Sequence, residues 1–147
     1  MSKVRLLDID EIEHEVFTRS DITGRQVNRH LLSKVLAGTE GVVLDEMTFP
    51  PGFVHHMHRH PCADMVIIPL SGVVQFRGVP GSPIEVSPGH VLVVPRGNWH
   101  EVSNVGTVDS QVLHFTGVGA VDDIGYEAYE KQDQAAPSLG HKQGSSA

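Results

Sequence analysis

Glycine and proline cut this chain into short β-prone runs, and that punctuation limits its fold more than any other feature. Val42-Val43-Leu44-Asp45-Glu46-Met47-Thr48-Phe49 is stopped by Pro50-Pro51-Gly52. Met65-Val66-Ile67-Ile68 turns at Ser71-Gly72 and returns as Val73-Val74-Gln75-Phe76-Arg77. Ile84-Glu85-Val86 is followed by Ser87-Pro88-Gly89, and Val91-Leu92-Val93-Val94 by Pro95-Arg96-Gly97. Runs of this kind bounded by turn residues are strands. No long amphipathic helix separates them, so the class is all-β, an antiparallel sandwich or barrel. The expected organisation is an N-terminal extension (1–23), a barrel (24–117), a segment packed on it (118–130) and a tail (131–147). The tail is too polar to bury much and is expected to be disordered.

A chain of 147 residues fits one domain with a substantial core. Its net charge of −7 offers no basic stripe for phosphates, which argues against nucleic acid as a partner. No apolar run reaches membrane-spanning length, and Met1-Ser2-Lys3-Val4-Arg5 lacks an apolar leader, so a cytoplasmic protein is expected. Cys62 is the single cysteine, which excludes an internal disulfide.

Against that background one stretch is chemically distinct. Gly52-Phe53-Val54-His55-His56-Met57-His58-Arg59-His60 holds four of the chain's 10 histidines. On a strand, side chains alternate, so His58 and His60 share a face, roughly 6.5–7 Å apart. Neutral imidazole is the commonest side-chain metal ligand. Two on one face make half of a site for a first-row divalent ion.

A second spacing completes the pattern. Gly89-x5-Pro95-Arg96-Gly97-x2-His100-x3-Asn104 matches the second cupin motif, G-x5-P-x-G-x2-H-x3-N, at every specified position. The first cupin motif, G-x5-H-x-H-x3,4-E-x6-G, is met by Gly52-x5-His58-x-His60 and then departs. The chain therefore resembles the small single-domain cupins over roughly residues 41–116. That resemblance implies a double-stranded β-helix, or jelly-roll barrel, with both motifs on facing strands and a metal inside. It also implies His58, His60 and His100 as ligands, and a homodimer. Three imidazoles on a rigid barrel leave coordination positions open, as a catalytic metal requires.

The place of the motif's glutamate holds Asp64 at one allowed spacing and Met65 at the other, and Gly72 is in register with Met65. Two arrangements remain. Either a bulge near Pro69 restores the register and Asp64 joins the histidines as a fourth ligand, or Met65 points inward and the site is three histidines only.

Among the other candidates, His56 is in phase with His58 and His60 and is a candidate catalytic group, whereas His55 is out of phase and expected to face outward. His114, on the last strand, is the second candidate acid or base. Gln75 or Phe76 lines the cavity, depending on phase. Three functions follow. The first is an iron(II)-type oxygenase of a small organic chelator. The second is a metal-assisted isomerase, cyclase or lyase on a sugar or keto-acid, with His56 or His114 moving a proton. The third is a non-catalytic ligand-binding or regulatory module. Iron is the first choice of metal; zinc, nickel, manganese and copper also suit imidazole.

Overall fold

The computed structural model describes residues 4–79, 81–118 and 121–129. The expected tail, 131–147, lies outside them. Among the described residues the strands are β1 (Glu15–Phe17), β2 (Ile22–Thr23), β3 (Gln26–Leu32), β4 (Val43–Phe49), β5 (Val54–Arg59), β6 (Met65–Ser71), β7 (Val74–Gly78), β8 (Ile84–Val86), β9 (Leu92–Val94), β10 (His100–Ser103), β11 (Ser110–Thr116) and β12 (Glu127–Ala128). A single helical turn, Lys34–Ala37, joins β3 to β4.

All pairings are antiparallel and fall into two sheets. One runs β1-β3-β4-β11-β6-β9, and the other runs β12-β5-β10-β7-β8 with β2 also on β5. The fold is the double-stranded β-helix that the motif spacing implied. Sequence-distant strands are neighbours, β11 lying between β4 and β6, and β10 between β5 and β7. Strand β11 shows why the residues choose this arrangement: its side chains alternate strictly between buried and half-buried, as a strand with one core face must. The inner faces of both sheets meet in a core that includes Phe49, Phe53, Met65, Ile67, Phe76, Val102 and Val112. Phe49 and Phe53 stack there at 4.5 Å between ring centroids.

Within the expected N-terminal extension, two short strands join the sheets. Strand β1 extends the first sheet along β3, and β2 extends the second along β5. Short edge strands such as these give too few residues for a periodic signal. At the other end, β12 pairs with Arg59 and His58 of β5, which draws residues 122–129 across the barrel next to the histidine strand.

Two motif residues act on the backbone. Asn104 is 1% exposed, and its side-chain amide donates to the carbonyls of Phe49 and Val108 while its oxygen accepts from Gly106 N. Its own backbone bonds Gly52 and Phe53, so this side chain fastens the second motif to the start of the first. Gly72 has φ +69°, and a Cβ there would stand 2.6 Å from the Asp109 carbonyl oxygen. Only glycine admits that approach.

Candidate metal centre

His58 lies on β5, His60 follows the end of that strand, and His100 opens the neighbouring β10. His58 and His100 are cross-strand partners with ring centroids 4.2 Å apart; His60 stands 5.1 Å from the first and 5.4 Å from the second. One ring nitrogen from each lies within 4.8 Å of the others. Strand alternation brings His58 and His60 to one face, and β5–β10 pairing adds the third ring.

The outer nitrogens are fixed by backbone. His58 Nδ1 is 2.7 Å from His56 O, His60 Nδ1 2.9 Å from Gly125 O, and His100 Nδ1 2.9 Å from Asn98 O. A carbonyl oxygen only accepts, so each Nδ1 donates and each Nε2 keeps its lone pair when the ring is neutral. Burial holds the rings neutral: it lowers His58 and His60 below the ordinary imidazole value, and pushes His100 down to about 4. His100 Nε2 is buried with no hydrogen-bond partner among the described residues. An orphaned lone pair facing two others fits a divalent cation, since a buried acceptor is otherwise costly.

Asp64 does not join them. Its carboxylate accepts from Arg96 N at 2.8 Å and stands 3.6 Å from Arg96 Nε, with its side chain 56% exposed. A bulge does occur near Pro69, where Val112 faces Pro69 and the next residue, Gln111, faces Ser71. It lies beyond Met65, however, and Met65, Ile67 and Pro69 all point inward ahead of it. Met65 therefore occupies the interior place, and the reading with Asp64 as fourth ligand is corrected to three histidines without a carboxylate.

His56 and His55 exchange the places that simple alternation gives them. The two-residue step from His100 to Val102 on β10 faces a three-residue step from His58 to His55 on β5. This bulge shifts the phase by one residue. His55 turns inward and stacks on His58 at 3.8 Å, whereas the His56 side chain is 50% exposed and hydrogen-bonds Thr23 at 2.7 Å. Phe76 rather than Gln75 is the inward residue of its pair, and its ring stacks on His100 at 5.2 Å.

His114 does face the interior. Its ring is 6.5 Å from that of His60, and burial pushes it down to about 4. A cavity of about 470 Å³ spans the space between the sheets, lined by the triad, His55, His114, His30 and Asp45 together with apolar side chains such as Phe49, Met65, Ile67 and Val102. Tyr126 closes one side. Its ring stacks on His58 at 5.3 Å, and its hydroxyl donates to Asp21, which also accepts from Arg19 and from His55. Neither His55 nor Tyr126 carried a sequence signal of its own, because a bulge and a returning segment placed them.

Residues 45–116 match the family model described as Cupin domain. A predicted oxalate decarboxylase from Thermotoga maritima superposes with a TM-score of 0.69 at 23% identity, covering 78% of this chain and 99% of that one. Residues 45–116 form a cupin domain. Two curated proteins resemble this cupin in sequence. Auxin-binding protein 1 of Arabidopsis thaliana is 34% identical over 86 residues, which is 54% of this chain and 43% of that protein. The 1-hydroxy-2-naphthoate 1,2-dioxygenase of Nocardioides sp. (strain KP7) is 26% identical over 104 residues, 71% of this chain and 27% of that protein. The cupin thus spans less than half the length of either. Its cluster of three imidazoles, two buried and one half-buried, supports a bound divalent metal. Among the described residues, no helix is long and apolar enough to cross a membrane.

Proposed function

We propose that this cupin is a metal-dependent dioxygenase of a small chelating organic substrate, with iron(II) held by His58, His60 and His100. The observation that carries this reading is the carboxylate-free triad, three neutral imidazoles converging while Asp64 turns away to Arg96. The similarity to a dioxygenase across 71% of the chain supports the same reaction class.

A metal at this site supplies Lewis acidity and open positions for a chelating ligand. The chain supplies the rest. The three Nδ1–carbonyl bonds hold the rings at fixed angles, and Phe76 backs His100. Phe49, Met65, Ile67 and Val102 give the substrate an apolar bed and exclude water. His56, on the outer surface, has no part in the interior chemistry.

The decisive experiment is elemental analysis of the purified protein, then oxygen uptake after anaerobic iron(II) loading, with small aromatic and hydroxy acids as substrates. Oxygen consumption that stops on chelation and in His60→Ala is the expected result. Turnover at full rate by metal-free protein refutes the proposal. Metal-dependent turnover without oxygen would replace it with an isomerase, cyclase or lyase, and tight binding without turnover with a regulatory module.

A further inference from the structure

The cavity wall across from the triad carries a second set of polar groups. His30 on β3, Asp45 on β4 and His114 on β11 are successive cross-strand partners, so they form one row across the inner face of the first sheet. All three line the cavity.

The hydrogen bonds within the row set what it can offer a ligand. His30 Nδ1 is 2.7 Å from Asp45 Oδ1, and its Nε2 is 2.9 Å from Glu15 Oε2. Carboxylates accept, so both His30 nitrogens are spent as donors. Asp45 uses one oxygen here; its other oxygen has no partner among the described residues. His114 Nε2 is 2.7 Å from Met65 Sδ. A thioether only accepts, so Nε2 carries the hydrogen and Nδ1 the lone pair. That Nδ1 is buried without a partner among the described residues, on a side chain only 8% exposed. The row presents acceptors and no free donor.

We propose that His114, with Asp45 beside it, is a specificity-determining subsite that selects substrates carrying a hydroxyl group in addition to their chelating end. The inference rests on the triad being the metal site. An O–H placed at His114 satisfies an acceptor that a C–H leaves unpaired, and sites built this way reject the analogue that lacks the group. The cavity of about 470 Å³ suits one substituted aromatic ring rather than a long chain. The substrate class is therefore a hydroxylated aromatic acid or a chelator of that size.

The test uses the full chain loaded with zinc, which binds without redox chemistry. Calorimetry compares 2-hydroxybenzoate with its 2,3-, 2,4-, 2,5- and 2,6-dihydroxy counterparts. At least one dihydroxy isomer is expected to bind about tenfold more tightly than the parent. In His114→Phe that preference falls to near unity, and in His114→Gln, which keeps an acceptor, it persists. Absence of any preference in the natural protein overturns the subsite, as does its survival in His114→Phe or failure of all these ligands to bind. Parent affinity that is unchanged after zinc removal refutes the metal reading instead. The hydroxyl preference then judges the subsite separately.

Discussion

His58 and His30 lie on facing walls of one cavity, yet their chemistry is opposite. His58 is surrounded by other imidazoles and a backbone carbonyl, and burial holds it neutral. His30 sits between two carboxylates, whose hydrogen bonds raise it to about 9 and keep it cationic. The charge of a histidine is set by burial and hydrogen-bond partners together: burial prevails at His58, and two carboxylates outweigh it at the less enclosed His30. A carbonyl needs one hydrogen and leaves a lone pair for a metal. Two carboxylates take both hydrogens and leave nothing to coordinate.

Breaking the neutral wall should have the largest effect. His100→Ala removes one of three ligands and is expected to weaken metal binding by more than the 10–100-fold that loss of an outer hydrogen-bond partner costs. Metal content after dialysis against a competing chelator measures it. On the charged wall, Asp45→Ala leaves His30 with only Glu15, and hydrogen bonds to charged groups imply a loss of about 1.5–3 kcal/mol in urea unfolding.

The pH dependence of metal-free protein separates the walls. His30 has a raised folded value, so its stabilisation is complete below about 6.5 and lost as pH rises through about 9. His55, His100 and His114 have lowered folded values of about 4, so their contribution is present above about 6.5 and lost as pH falls toward 4. The urea midpoint should peak near neutral pH and fall on both sides. Asp45→Asn should flatten the alkaline limb; an unchanged alkaline limb would refute the assignment of charge to His30.

Smaller effects sharpen the contrast. Tyr126→Phe deletes the hydroxyl that donates to Asp21 and should cost about 1 kcal/mol in thermal or urea unfolding, with metal content unchanged. His56→Ala should be the mildest, within about 0.5 kcal/mol and without effect on metal stoichiometry, because that ring is on the outer surface.

The triad was legible from sequence because motif spacing and alternation both operate over a few residues. Asp64 was not: its place depended on where the β6 bulge fell, and a bulge costs one residue that no local pattern marks. His55 and His56 were transposed for the same reason on β5. The row of His30, Asp45 and His114 was invisible because its members are neighbours only through strand pairing.

By itself the sequence determined the longer strands, the turns between them and the shared face of His58 and His60, since each follows from short-range period and backbone sterics, whereas His100 was joined to them by the resemblance of its motif. Tertiary structure alone decided which neighbouring histidine faces inward, that no carboxylate among the described residues reaches the triad, and which histidine is charged. Those outcomes depend on register between strands far apart in the chain, and on the partner that register sets beside each polar atom.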